Sequence, residues 1–409
     1  MKKIELLAPA GSFEKAKVAF KYGADAVYCG TPKLSLRSRS ELEDDDLVKT
    51  IEYAHSLGKR VHTAINIFAW DETYEEIKKQ AQILNELKVD GIIISDGGVV
   101  DLVKEYAPDC DVHISTQANT VSYHTCKFWH KNGAKRVILG RELNKEQIRE
   151  IIKNKPEDLE IEMFGHGALC FAYSGRCFLS EFLAGRSGNL GDCAQSCRWA
   201  FNLYAEETNN PGNLMPIETD EKGTYIFSSK DLCLIKELPE IIEMGVDSLK
   251  IEGRLKTEYY LASVVNAYRN AIDSIYEDPQ NYDYTKYLTE LEKTKTRGLT
   301  TFYFNSRENK DFQDLSGRQY NATYEFAGKV IEPIEDKVLI EIRNKLSIGD
   351  SLELIIPGQI EPVPFKIEKL WNDETMEEID TVNPGRAEQK VILKVPVSVE
   401  KGWILRRKK

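Results

Sequence analysis

IELLAPAGSFEKAKVAFKYGADAVYCG, residues 4–30, reads as a complete strand–helix–strand unit. IELLAP (4–9) is a short apolar run that ends at Gly11-Ser12. Ser12 is placed to cap the amphipathic helix FEKAKVAFKYG, because a serine oxygen can accept one of the unpaired first-turn N–H groups. Gly23 closes that helix, since glycine enters the left-handed region without a Cβ penalty. ADAVYCG (24–30) is then a second apolar strand. Two strands without polar alternation, joined by a helix, predict parallel neighbours buried on both faces.

The same unit recurs outward from this point. RVHTAIN (60–66), DGIIISD (90–96), DVHIST (111–116), AKRVILG (134–140), LEIEMFG (159–165) and DSLKIEGR (247–254) are further strands, each preceded by a helix-like segment. Eight strands in this alternation predict a (β/α)8 TIM-like barrel, with a doubly wound open sheet as the alternative. LASVVNAYRNAIDSIY, after the eighth strand, serves as the last outer helix. From about residue 322 the pattern changes to six strand-like runs with turns such as Ile348-Gly349-Asp350 and Asn383-Pro384-Gly385. These predict a small all-β, barrel-like domain. The expected organisation is a barrel over 1–305, a linker over 306–321 and a β domain over 322–409.

Composition narrows the class. The chain has 409 residues, 42% of them hydrophobic, enough for real cores. Glu5 interrupts the apolar run after Met-Lys-Lys, so no signal peptide is expected. No stretch approaches the roughly 18 apolar residues of a membrane span. A cytoplasmic location without membrane contact is expected, where cysteines stay reduced and clusters of them read as metal ligands. The net charge of −11 does not advertise nucleic-acid binding, although a local basic patch would suffice for it.

EMFGHGALCFAYSGRCFLSEFLAGRSGNLGDCAQSCRW (162–199) occupies the long gap between strands seven and eight and predicts a cysteine-rich insertion there. It holds Cys170, Cys177, Cys193 and Cys197, and Cys233 follows in SSKDLC. The four intervals are six, fifteen, three and thirty-five residues. Zinc sites usually show two tight pairs, whereas broad spacing on a glycine-rich loop suits a 4Fe–4S cluster. Structural zinc and plain buried thiols are the alternatives. Cys29, Cys110 and Cys126 read as core or surface residues.

Polar residues at strand ends add a second signal. Asn66 follows His62 by four residues; His113, Ser115 and Gln117 alternate; so do Glu162, Phe164 and His166, and Lys250, Glu252 and Arg254. Period-two spacing puts each set on one face, and polar groups facing a barrel axis need partners or a ligand. Glu162, His166, Asn66, Gln117 and Glu252 are therefore candidate catalytic groups. Arg37, Arg39, Lys250 and Arg254 are candidate substrate-binding cations, suited to carboxylates or phosphates. Arg406-Arg407-Lys408-Lys409 reads as a solvated basic tail or an RNA-backbone contact. No serine-hydrolase, zincin or phosphate-loop motif is present.

ELLAPAGSFEKAKVAFKYGADAVYCG, HISTQANT, EMFGHGALCFAYSGRCFLS, GDCAQSCRW, YIFSSKDLC, DSLKIEGR and RGLTTFYF resemble the peptidase U32 family of collagenase-like proteases. The resemblance runs over roughly 1–305, and the β domain resembles the family's C-terminal module. Within the family the chain looks most like a branch that hydroxylates tRNA without oxygen. That implies 5-hydroxyuridine at the wobble position, prephenate as the small-molecule oxygen donor, tRNA as partner, and a redox partner; relatives on ribosomal RNA imply a related substrate. The resemblance implies a 4Fe–4S cluster on Cys170, Cys177, Cys193 and Cys233, with Cys197 as an alternative fourth ligand. A U32-type peptidase and a non-catalytic iron–sulfur scaffold remain competing readings; no nucleophile–base–orienter set supports the first.

Overall fold

The computed structural model describes residues 3–409 except 32–33, 36–41, 43, 171, 173–175, 200, 202, 207, 209–210, 213, 218–228, 295, 307, 309–322 and 386–388. The proposed linker and both loop arginines, Arg37 and Arg39, lie largely or wholly outside the described residues.

The chain begins β1 (Glu5–Pro9), α1 (Phe13–Lys21), β2 (Ala26–Gly30), α2 (Asp44–Ser56), β3 (Arg60–Ile65) and α3 (Tyr74–Glu86). It continues β4 (Gly91–Ile94), α4 (Gly97–Tyr106), β5 (Asp111–Ile114), α5 (Tyr123–Lys131), β6 (Ala134–Ile138), α6 (Lys145–Asn154) and β7 (Glu160–Ala168). The cysteine loop carries α7 (Leu179–Ala184), β8 (Leu203–Glu206), β9 (Leu214–Ile217) and β10 (Asp231–Cys233). Then come α8 (Leu238–Met244), β11 (Ser248–Ile251), α9 (Glu258–Glu277), α10 (Thr285–Glu292) and β12 (Leu299–Thr300). Strands β1 to β7 are parallel neighbours in chain order, and β11 pairs with both β7 and β1. That double pairing closes the barrel and excludes an open sheet.

Local chemistry sets the helix starts. The Ser12 hydroxyl accepts from the Lys15 amide at 3.2 Å, as its sequence position predicts. Asn144 and Gln147 form a reciprocal capping box before α6. Gly23 closes α1 at φ +105°. A feature the sequence reading missed is β10, which runs antiparallel to the upper half of β7 and carries β12 on its far edge. The chain of the cysteine loop thus returns as a strand beside the one it left.

The β domain is antiparallel, built on strands 324–334, 337–342, 351–355, 390–393 and 404–408, around Val330, Ile340, Leu354, Val391 and Leu405. Helix α9 is buried between the barrel and this domain, and Tyr259–Tyr268 are all buried. On the domain side, Asn266 Nδ2 donates to the Gln359 carbonyl at 2.7 Å. Tyr22 donates to the Ile355 carbonyl at 2.9 Å and accepts from the Ile404 amide at 3.0 Å, tying α1 to the same domain. In the basic run at 406–409 the two arginines are not a solvated tail, whereas Lys408 and Lys409 are exposed. Ile404–Lys408 form a strand, with Arg406 0% exposed and paired to Glu353 at 2.6 Å and Glu290 at 2.7 Å. Arg407 is held by Asp350 at 2.6 Å and by Glu325. Among the described residues no helix is long and apolar enough to cross a membrane.

Candidate active site

The lower half of the barrel interior is a charged layer. Arg136 on β6 is 1% exposed; its Nη1 donates to Glu5 at 2.6 Å and to Glu162 at 3.0 Å, and its Nη2 donates to Glu160 at 2.6 Å. Lys250 donates to the other Glu162 oxygen at 2.9 Å, and Arg60 also pairs with Glu5. Burial alone would raise the Glu5 carboxyl, but the charge and hydrogen bonds of Arg136 override it and hold the group at about 2. Glu162 is consumed by Arg136 and Lys250 beneath the cavity and does not line it.

Above Glu5, His62 and His113 meet with ring centroids 4.6 Å apart. Both are buried, and Nδ1 and Nε2 of His62 and Nδ1 of His113 have no hydrogen-bond partner among the described residues. Burial lowers both, His62 to about 3. The linkage has a definite sign. Between the unfolded value near 6.5 and the folded value of about 3, the unfolded chain binds the proton at His62 and the native chain does not. Stability from this group is therefore present above about pH 6.5 and falls as pH drops, by about 1.4 kcal/mol per pH unit. Below pH 4.5 Glu5 acts in the same direction. Urea midpoints are expected to fall between pH 7.5 and 5.5, and less so for His62→Gln. An unchanged wild-type midpoint would show that the fold does not displace these imidazoles from their unfolded titration.

Over this layer lies a cavity of about 400 Å³ at the C-terminal ends of the strands. Lys250, Glu252 and Arg254 line it together, as do Asn66, Ser115 and Gln117, so these period-two readings hold. Asn66 Nδ2 donates to Gln117 Oε1 at 2.7 Å, and Ser115 donates to the same oxygen at 3.4 Å. The Gln117 amide nitrogen is buried with no partner among the described residues, so an acceptor oxygen in the cavity would complete it. Arg254 Nη1 donates to Ser35 at 3.2 Å. Lys250 and Arg254 stand over the Tyr28 ring at 4.1 and 5.7 Å from its centroid. Arg141 and Arg176 also line the cavity; the first stands three residues past the end of β6 and was not singled out from sequence. With Lys250 paired to Glu162, the three arginines Arg141, Arg176 and Arg254 against one lining carboxylate, Glu252, favour an anionic ligand.

His166 departs from its expected place. The pairing of β7 with β11 shifts between Lys250 and Ile251: Phe164 faces Lys250, but His166 faces Ile251, leaving Gly165 as an extra residue. One extra residue reverses the parity of the strand. Phe164 therefore lines the cavity, while His166 turns to the helix layer, against Tyr260 and Tyr268 at 6.1 and 5.5 Å between ring centroids. Burial lowers His166 to about 4. At Gly167, φ +111°, any Cβ would lie 2.4 Å from the Glu252 carbonyl oxygen, so only glycine lets β7 leave the barrel this close to β11.

The cysteine loop forms the cavity's upper wall through Cys170, Cys177, Cys193 and Cys197. Cys177 Sγ accepts from the Leu179 amide at 3.3 Å, and Cys193 Sγ from the Gln195 amide at 3.4 Å. The loop is internally braced: Asn189 bonds both the amide and the carbonyl of Cys177, and Arg186 pairs with Asp192 at 2.6 Å. An all-thiol donor set with amide N–H groups on the sulfurs fits a soft iron–sulfur group. Among the described residues, no three Cys, His, Asp or Glu side chains meet as a closed metal site. Cys233 does not line this cavity. It lies beside His166 on β10 with its sulfur 3.8 Å from the Tyr268 hydroxyl, and burial pushes its thiol up to about 12.

A closed (β/α)8 barrel with a ligand-sized cavity at the strand C-termini places this chain in the TIM-barrel class, in which that face carries the chemistry. The chain belongs to peptidase family U32: the family model matches residues 11–314, and the model of the family's C-terminal domain matches residues 322–406. The chain is 38% identical to tRNA hydroxylation protein P1 of Bacillus subtilis, over 93% of this chain and 89% of that protein. It is 37% identical to tRNA hydroxylation protein P of Escherichia coli, over 99% and 96%. Similarity to the 23S rRNA 5-hydroxycytidine synthase of Escherichia coli is 30% over 93% of this chain and 58% of that protein.

Proposed function

We propose that this protein is an oxygen-independent tRNA hydroxylase that forms 5-hydroxyuridine at the wobble position, carries a 4Fe–4S cluster, and uses prephenate as its oxygen source. The observation that carries the reading is similarity to tRNA hydroxylation proteins along nearly the whole chain, cavity-lining stretches included. Cys170, Cys177 and Cys193 would hold the cluster, with the fourth thiolate from Cys197 or Cys233. The cavity wall favours Cys197, and the family resemblance favours Cys233. When bound, such a cluster supplies one-electron and Lewis-acid chemistry. A dicarboxylate is matched by Arg254, Lys250, Arg141 and Arg176, and its oxygens by the Gln117 amide. Phe164, Ile93 and Ile138 line the apolar side, where they exclude water from a bound ring.

Mass spectrometry of tRNA nucleosides from a deletion strain, free of paralogues, tests the reaction. Loss of 5-hydroxyuridine-derived nucleosides, restored by the wild-type gene, is expected; an unchanged pool would end the proposal. Loss of a ribosomal RNA hydroxylation instead would transfer it to that substrate. Arg254→Ala is expected to raise the prephenate concentration for half-maximal activity about ten- to a hundredfold, the loss of a charge-assisted bond of ~1.5–3 kcal/mol. Iron content should stay at the wild-type level. An unchanged prephenate dependence would remove Arg254 from the ligand contacts, and loss of iron or folding would give it a structural role through Ser35.

A further inference from the structure

A second cavity, of about 460 Å³, lies on the other side of the cysteine wall, between the end of β11, the start of α9 and the β domain. Cys170, Cys193, Cys197 and Glu252 line both cavities, so the thiol wall and Glu252 border the two. We infer that this second cavity receives the unstacked pyrimidine of the RNA, leaving the cationic first cavity to the small anionic co-substrate. The inference rests on the RNA-hydroxylase reading above and deepens it by assigning the two ligands to two cavities.

The lining carries the argument. Four aromatic rings face this space: Tyr259 and Tyr260 from the barrel, Tyr324 and Phe326 from the β domain. The three tyrosine hydroxyls are already committed to the protein. Tyr259 donates to the Lys293 carbonyl at 3.1 Å, Tyr260 to the Glu252 carbonyl at 2.9 Å and Tyr324 to Glu353 at 3.0 Å. What remains for a ligand is the ring surface left open by Lys256 over Tyr260, Lys293 and Arg406 over Tyr324, and Arg343 over Phe326, which suits a flat base better than a small dicarboxylate. Tyr259 and Phe326 stack at 6.3 Å and 25°, so barrel and β domain supply one continuous aromatic wall. Lys256 and Lys409 stand at the same cavity, alongside Glu252 and Glu325, and supply its two cationic contacts for a sugar-phosphate backbone.

Access follows from chemistry that acts on a base edge: the base must leave its stack and enter a pocket. A base here abuts the wall that holds Cys170, Cys193 and Cys197, with the co-substrate cavity directly behind. The β domain is then a part of the substrate site, because Tyr324 and Phe326 are its first strand's residues.

The test uses the cluster-loaded full chain and an anticodon stem-loop carrying 4-thiouridine at the hydroxylated position. Photocrosslinks are expected at Tyr260, Tyr324 or Phe326, and Phe326→Leu should weaken binding of the unmodified stem-loop roughly 5- to 100-fold with iron content and Tm unchanged. Crosslinks confined to residues of the first cavity, such as Phe178 or Phe164, would overturn the assignment. So would unchanged affinity and hydroxylation in a folded Phe326→Leu protein. If that variant fails to fold, the wild-type crosslink map decides alone. A wild-type protein that neither binds nor hydroxylates tRNA removes the underlying reading, and that outcome is distinct from active protein with crosslinks elsewhere.

Discussion

Cys170→Ala, Cys177→Ala and Cys193→Ala, each prepared without oxygen, are expected to lose the visible iron–sulfur absorption, most of their iron and sulfide, and all hydroxylation activity. Cys170 and Cys177 sit at the two ends of one short connection, and the loop offers no spare thiol at either position. Cys193 is braced by the turn that sets the Gln195 amide on its sulfur. A cluster ligand must be deprotonated, and a donor lost from a four-thiolate set leaves an iron site open to solvent and dissociation. Comparing Cys197→Ala with Cys233→Ala assigns the fourth position. Iron lost only in the first places it on the cavity wall. Iron lost only in the second places it on β10 and requires the Cys233 side chain to turn from Tyr268. Full iron in Cys170→Ala would remove the cluster from this loop altogether.

Arg136→Met is expected to destabilise the protein by about 3–5 kcal/mol, a large share of the roughly 5–15 kcal/mol that holds a typical fold. The guanidinium is the shared donor to Glu5, Glu160 and Glu162. Without it, among the described residues Glu162 keeps Lys250, while Glu5 keeps Arg60 at the barrel's edge and the Ser248 hydroxyl. A buried carboxylate that loses its cation must be protonated or admit water, and both cost stability. Urea unfolding at neutral pH measures the effect. Adding Glu162→Gln to Arg136→Met should restore part of the loss, because it removes one of the orphaned charges. A single variant within about 1 kcal/mol of wild type would show that the network is not what stabilises the barrel floor.

The alternation of apolar strands with capped helices was legible as a parallel sheet covered by helices, because that pattern has few physical solutions. Parallel pairing follows once both faces of the strands must be covered, and closure rather than an open sheet was settled by β11 pairing with both β7 and β1. The sequence by itself also determined which loop holds the thiols, and that Asn66, Gln117, Lys250, Glu252 and Arg254 belong together: alternation places a side chain on one face as long as a strand stays regular. Tertiary structure decided what alternation cannot carry. Gly165 adds one residue opposite β11, and that single irregularity moves His166 from the lumen to the helix layer. Glu5 and Arg136 read as an interruption and as an ordinary strand residue, since an ion pair 131 positions apart in the chain leaves no local pattern. The return of the cysteine loop as β10 separates Cys233 from the other four thiols for the same reason: pairing with β7 is a long-range contact, set by which strand edge remains open after the barrel closes. The aromatic cavity beside the thiol wall likewise exists only once the β domain docks on α9, bringing Tyr324 and Phe326 against Tyr259 and Tyr260.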